Sequence, residues 1–492
     1  VLPLAYLVVR ASERGWEPFV ATLWRERTLT LVLRSLELAG IVTVACVVVG
    51  VGFAWLVTRT DVPGRRLLQV MLGLPLALPS YVAAFGWIGW QPGLTGRNGA
   101  VIVLTTISYP YVYLPTMAAL RRCDPALDDV ANSLGVSGWR AFARVTFPQI
   151  RAAVVGGALL VGLYVLSDFG AVATMRHQVL TDVIFSSYRG SFDRTPAAVL
   201  GLVLAALALI IVGFERASHR ARRGPGSPSS ATVARAGGGV ARRRQLIALG
   251  WRRWPLAALV VGWLVLALGV PARGLQAWFA QGTTDLDVGR LVEATTNTVL
   301  VGVIAAVAVV AIAFPLVLLT VRHPGRLSGS VTGAVYAGHA LPGVVVGLSL
   351  VFFGIGVVTP LYQTLPLLVL AYVVLFLSLA LGSLHNAIAQ VPPGLDGVAR
   401  TLGRTALAAW WAVTARLSAP GVGAAATLVL LTVMKELPAT LFLRPTGFDT
   451  LATELWSHTS SFSKAAAAPY AVAIVVLAAV PTAVLSARGE RA

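Results

Sequence analysis

Apolar residues in this chain gather into nearly unbroken runs of about twenty, separated by shorter stretches rich in Gly, Pro and Arg. Twenty helical residues are what a hydrocarbon core of roughly 30 Å requires. Such runs cover about 31–57, 67–90, 100–120, 153–175 and 197–214. After a polar interval they resume at about 255–270, 294–321, 331–353, 365–384, 422–443 and 465–485. Residues 1–9 are apolar but too few to cross, and read as the end of a helix that begins upstream. The pattern predicts an all-α polytopic membrane protein, with five spans and a stub before the polar interval and six spans after it.

Composition agrees with that reading. Of 492 residues, 57% are apolar and 12% charged, against roughly 45–50% and 25% in soluble domains. The 39 Lys and Arg outnumber the 20 Asp and Glu. In a soluble chain this excess would suggest nucleic acid, but in a membrane protein it is what cytoplasmic loops collect, so the expected surroundings are lipid and not nucleic acid. Two cysteines, Cys46 in an apolar run and Cys123 in a basic loop, exclude a disulfide framework. The six histidines never approach metal-ligand spacing, and no metal or cofactor is expected. The only lysines, Lys435 and Lys464, are followed by Glu436 and Ala465. The phosphate loop G-x-x-x-x-G-K-[ST] is therefore absent.

Residues 215–253 hold ten arginines and a single acid, Glu215, and 224–239 is a Gly/Ser/Pro/Ala stretch. Such a segment cannot bury enough apolar surface to fold and reads as a flexible cytoplasmic linker, either a solvated tether or a contact for anionic lipid. On either side of it the sequence repeats. Ala131, Leu134, Gly135, Val145, Thr146 and Ala171 recur as Ala399, Leu402, Gly403, Val413, Thr414 and Ala439, all at an offset of 268. Pro63-Gly64-Arg65 pairs with Pro324-Gly325-Arg326, and Leu78-Pro79 with Leu341-Pro342, at slightly smaller offsets. The expected organisation is a first half at 1–214, the linker at 215–253 and a second half at 254–492. Six helices per half is an even number, so both halves would enter the membrane in the same sense, unlike inverted repeats. Placing the linker inside puts 25 Lys and Arg on that side and 13 on the other, in keeping with the positive-inside rule.

Between the fourth and fifth spans lies a loop at 121–150, with a counterpart at 385–421. Loops of that length in a compact helical protein are usually functional. The first contains Asp129-Val130-Ala131-Asn132-Ser133-Leu134-Gly135, followed by Trp139, Phe142, Val145 and Pro148. The second contains Gly397-Val398-Ala399-Arg400-Thr401-Leu402-Gly403, then Leu407, Trp410, Trp411, Val413 and Leu417. The apolar spacing predicts a short helix, a glycine turn and a second short helix on the membrane surface. E-A-A-x-x-x-G before an apolar helix and a proline resembles the coupling-loop signature of the membrane subunits of binding-protein-dependent ABC importers. That resemblance implies that Asp129, Val130, Ala131 and Gly135 form one coupling loop, and Val398, Ala399 and Gly403 the other, each fitting a groove on a cytoplasmic ATPase. The acidic position is Gly397 in the second copy, with Asp396 one residue early. Pro148 has Arg416 at its equivalent.

The fifth span of each half carries charge. Ser167-Asp168-Phe169-Gly170-Ala171 aligns with Lys435-Glu436-Leu437-Pro438-Ala439. Charge at membrane depth costs several kcal/mol unless paired or wetted. Ser167, Asp168, Phe169, Lys435, Glu436 and Pro438 are thus candidates for a translocation pathway, or Lys435 pairs with one of the acids and pins the structure. Pro438 would loosen its helix. The run 435–445, with Phe448-Asp449-Thr450-Leu451-Ala452 and Asp168-Phe169-Gly170, is similar to the fused permeases of ferric-iron importers, which in turn resemble thiamine, polyamine and sulfate permeases.

The resemblance implies a type I ABC importer permease fold in a bacterial cytoplasmic membrane. It also implies two ATPase subunits inside that use the ATP, and an extracytoplasmic substrate-binding protein outside. The rival is a secondary transporter using its own intramembrane charges, which would have no need of duplicated coupling loops. A membrane-embedded enzyme finds no nucleophile–base pair or metal spacing in the sequence.

Overall fold

The computed structural model describes residues 2–13, 15–136, 138–190, 194–221, 246–282, 287–323, 325–392, 394–461 and 463–489. All regular structure among them is helical, apart from one isolated bridge between Thr60 and Ile247. Eight helices are long and apolar enough to cross a membrane: Glu26–Arg59, Gly96–Arg122, Phe142–Ser167, Thr195–Phe214, Gly250–Ala280, Val288–Arg322, Leu365–Ala389 and Ala408–Met434. Their outward faces are apolar, as at Val44 and Val48 or Val303 and Val307. Lipid offers backbone groups no partners, so a helix, which satisfies its own, is the form these runs must take. The stretch at 1–9 belongs to a short helix, Leu2–Ser12. The last apolar run begins a helix, Lys464–Gly489.

Four of the expected spans are not single helices. The runs at 67–90 and 331–353 are bent pairs, Arg65–Ala77 with Ser80–Trp90 at 97° and Arg326–His339 with Gly343–Gly356 at 102°. The cause is Pro79 and Pro342. A proline forces the residue before it out of the helical region, and Leu78 is accordingly extended, at φ −80° and ψ 123°. The runs at 153–175 and 422–443 stop early, at Ser167 and Met434. Short helices, Gly170–Thr174 and Pro438–Leu443, restart after the interruption. Each kind of break falls at matching positions of the two sequence halves.

The chain forms two compact units. One comprises Val1–Leu31, Val179–Leu209 and Leu275–Ala492, and the other Val32–Gln178 and Ile210–Gly274. Each therefore takes segments from both sides of the Arg-rich interval. Of that interval, 222–245 lies outside the described residues. Its start continues the helix Thr195–Ala221, and its end is held: Ile247 N–H donates to Arg59 O at 2.9 Å, and Leu249 N–H to Asp61 Oδ1 at 2.9 Å. The first unit centres on Val288–Arg322, Leu365–Ala389 and Arg416–Met434 packed together, the second on Phe147–Ser167 against Pro110–Arg122. Small residues permit the close approaches. A Cβ on Gly157 would lie 2.7 Å from Tyr111 O, and one on Gly302 would lie 2.8 Å from Leu430 Cδ1.

Candidate functional site

The two motif loops fold alike. Pro125–Ser133 is a helix, Gly135 turns at φ 71°, and Gly138–Ala141 starts a second helix. In the other half Gly394–Thr401 is a helix, Gly403 turns at φ 84°, and Ala406–Trp410 follows. Side chains with a Cβ reach positive φ only at a cost, which accounts for glycine at both turns. The second short helices do not end on the surface as expected. Each runs through a π-helical turn, Phe142–Thr146 or Trp411–Ala415, into the long helix behind it. Each motif loop is therefore continuous with a transmembrane helix.

Ala131 and Ala399 are buried, whereas Val130, Leu134, Val398 and Leu402 are exposed, Leu134 by 75% and Leu402 by 79%. With Leu127 and Leu395, the exposed residues fall at i, i+3 and i+7, so each loop presents an apolar strip to the outside. Asp129 lies on the helix Pro125–Ser133, and its side chain lies outside the described residues. Gly397 leaves the second loop without an acid there, and the neighbouring Asp396 is turned inward. Thr414 Oγ1 donates to it at 2.9 Å, and Arg322 Nη2 at 3.0 Å. This clamp ties the second loop to the ends of two long helices. The repeat holds a sign of it, because Leu127-Asp128 stands opposite Leu395-Asp396, and Thr146 opposite Thr414, at the offset of 268.

The intramembrane acids sit at the helix breaks. Asp168 is buried, and its Oδ1 accepts from the N–H groups of Ala171 at 2.9 Å and Val172 at 3.4 Å; the Ser80 hydroxyl also bonds it. Glu436 Oε1 accepts from Ala439 N–H at 2.8 Å. Its Oε2 accepts from Thr440 N–H at 2.9 Å and Thr440 Oγ1 at 2.6 Å. The Tyr372 hydroxyl adds a bond to Thr440 Oγ1 at 2.8 Å. Each carboxylate thus caps the N-terminus of the short helix that restarts the chain, where the free N–H groups and the helix dipole favour negative charge. Pro438 is at the first turn of its helix, where its missing N–H costs nothing. The interruption covers Lys435–Leu437, the residues just before Pro438, where a proline removes the bond to the carbonyl four residues back.

Each break docks against the bend of its own unit. A Cβ on Gly170 would lie 2.7 Å from Tyr81 Cβ. One on Gly343 would lie 2.9 Å from Glu436 Oε1 and 3.0 Å from Pro438 Cγ. Ser80 and Gly343, the residues after the two bend prolines, are thus matched to Asp168 and Glu436 in complementary sizes: a hydroxyl with the shorter acid, no side chain with the longer. After the second break, Arg444 pairs with Asp449, and Arg290 Nε with buried Glu454 at 2.9 Å. These pairs were not foreseen from sequence, because Arg290 and Glu454 are 164 residues apart. Among the described residues, no three His, Cys, Asp or Glu side chains gather as a metal site would require.

Residues 47–224 match the family model described as the binding-protein-dependent transport system inner membrane component. The Fe(3+)-transport system permease protein FbpB 2 of Haemophilus influenzae is 33% identical over 484 residues, 98% of this chain and 94% of that protein. The chain belongs to the permease subunits of binding-protein-dependent ABC importers. Sulfate permeases also match, over less of it. The probable sulfate transport system permease protein cysT of Chlorokybus atmophyticus is 27% identical across 43% of this chain and 81% of its own length. The sulfate transport system permease protein CysW of Escherichia coli is 30% identical across 36% and 65%. The permease is a multi-pass inner-membrane protein and a transport component without catalysis of its own.

Proposed function

We propose that this permease moves ferric iron, received from an extracytoplasmic binding protein and driven by two cytoplasmic ATPase subunits. One observation carries the cargo: similarity to an Fe(3+)-transport permease extends over nearly the whole chain, whereas the sulfate permeases align with less than half of it. The same contrast supports one polypeptide doing the work of two permease subunits, 1–214 and 254–492, joined by the Arg-rich linker at 215–253. In this reading the halves are parallel repeats of about six transmembrane helices each, the type I importer fold. The recurrence of both kinds of helix break at matching positions supports it.

The loops carrying Asp129, Val130, Ala131 and Gly135, and Val398, Ala399 and Gly403, grip the ATPases. Their exposed apolar strips and positive-φ turns support that role. Ser167, Asp168, Phe169, Lys435, Glu436 and Pro438 border the pathway. Non-helical backbone at membrane depth is tolerated only where it is enclosed by protein or lines a wet cavity, and these residues form the two interruptions and the helix ends beside them.

The deciding experiment is uptake of radioactive ferric iron in cells lacking their own iron importers and supplied with this permease, its ATPase and its binding protein. Iron accumulation that stops when any of the three is omitted supports the reading. Sulfate accumulation in its place would assign the cargo to the sulfate class, which the partial matches favour as the second reading.

A further inference from the structure

We propose that the second unit, separately from its transport machinery, binds a phosphate oxyanion in a pocket lined by Thr58, Arg65, Arg66, Gln69 and Arg121. The five side chains line an open cleft of about 230 Å3. Its walls are built before any ligand arrives. Gln69 Nε2 donates to Val57 O at 2.7 Å, Arg121 Nη2 to Gln69 Oε1 at 2.7 Å, and the Tyr113 hydroxyl to Gln69 O at 3.0 Å. Gln69 and Arg121 are thereby fixed in place, which removes part of the ordering cost of binding.

The charge of the pocket calls for an anion. Three guanidinium groups line one cavity, and none of the lining residues is acidic. Among the described residues, no carboxylate is ion-paired with Arg65, Arg66 or Arg121. Each guanidinium has five N–H donors in a planar fork that matches phosphate oxygens, and Arg121 gives one of its five to Gln69. Thr58, whose hydroxyl donates to Ala54 O at 2.6 Å, completes the wall without adding charge.

The surroundings favour a phospholipid headgroup as the source. On the same short helix, Arg65–Met71, the apolar Leu67 and Val70 are 67% and 56% exposed. A basic pocket flanked by exposed apolar side chains is the arrangement that meets a headgroup and its acyl chains at once. The repeat separates this pocket from the shared machinery. Through Pro63-Gly64-Arg65 and its counterpart, Arg66 corresponds to Leu327 and Gln69 to Ser330, while Arg121 stands opposite Ala389 at the offset of 268. Only Arg65 keeps a basic equivalent, Arg326, so the set of three arginines is not repeated in the second half.

The test uses the full-length permease purified in detergent. In one arm, protein from phosphatidylglycerol nanodiscs and from phosphatidylcholine nanodiscs is compared by native mass spectrometry for retained lipid. In the other, lipid-stripped protein is dialysed against radioactive inorganic phosphate. Retained phosphatidylglycerol is expected to fall about fivefold for each arginine removed in Arg66→Gln and Arg121→Gln, and to be unchanged in Arg326→Gln. Phosphate binding that depends on Arg66 and Arg121 without lipid retention would assign the site to a soluble phosphate. Equal retention and equal phosphate binding in wild type and both pocket variants would overturn the proposal. Arg66 is exposed and bonds to no described residue, so Arg66→Gln leaves the fold in place and decides the matter even if Arg121→Gln is unstable. Neither arm reads transport, so its outcome is independent of the cargo.

Discussion

Gly343 and Glu436 show how a single position governs a helix break. The Glu436 carboxylate spends both oxygens on the start of the helix Pro438–Leu443, and a Cβ at Gly343 would press on Oε1 from 2.9 Å and on Pro438 from 3.0 Å. Because the carboxylate is tied down, it cannot swing aside without losing the cap. Gly343→Ala is expected to destabilise the permease by about 1–3 kcal/mol, the usual cost of overpacking, seen as faster thermal inactivation in detergent. Shortening the acid as well, in Gly343→Ala with Glu436→Asp, should recover part of the loss, because the first half pairs Asp168 with Ser80. A double variant worse than the sum of the singles would refute the size matching. Asp396 is the corresponding point in the second motif loop. Asp396→Asn leaves Thr414 and Arg322 facing a neutral amide and weakens charge-assisted bonds of about 1.5–3 kcal/mol. Transport should fall while membrane insertion and abundance stay normal, and uptake equal to wild type would show that the clamp transmits nothing.

Among the elements, the motif loops were the most legible part of the sequence, because helix, glycine turn and helix are set by local spacing and by the backbone freedom of Gly135 and Gly403. Replacing either glycine by valine forces a β-branched residue to φ 71° or 84°, a cost of about 1–2 kcal/mol or more. Each variant should insert normally yet lose most of its transport and its stimulation of ATP hydrolysis; full activity in both would show that the loops are not levers. The breaks were less legible. Hydropathy ran straight through 67–90, 153–175, 331–353 and 422–443, because a bend or a restart does not change how apolar the residues are. Pro79 and Pro342 were local signs of the bends. Asp168 and Glu436 were noticed as buried charge, but their use as caps depends on where their own helices stop, which apolar periodicity does not encode. The clamp of Asp396 on Thr414 and Arg322, and the pairing of Arg290 with Glu454, join residues far apart in sequence, and no periodicity points to such contacts.

For the whole molecule, family membership and the recurrence of both kinds of helix break describe a permease subunit, and the proposed function has it driven by partner ATPases. Its only lysines are Lys435 and Lys464, neither in a phosphate loop. The purified chain should therefore hydrolyse no ATP. If the motif loops are the coupling loops proposed above, in proteoliposomes it should take up ferric iron only when ATPase and ATP are on their side and the binding protein is on the other. An ion gradient imposed without ATP should drive nothing. Within that complete system, Asp168→Asn with Glu436→Gln is expected to reduce uptake more than neutralising Glu215, since the first pair holds both helix restarts and the second lies in the linker interval. Adding Lys435→Met to the double variant separates two causes of that loss. If Lys435 had depended on these acids, removing it restores uptake by eliminating an uncompensated buried charge. If the acids act through the caps they form, uptake stays low in the triple variant. Gradient-driven uptake by the chain alone would make it a secondary transporter and leave its paired loops without a purpose.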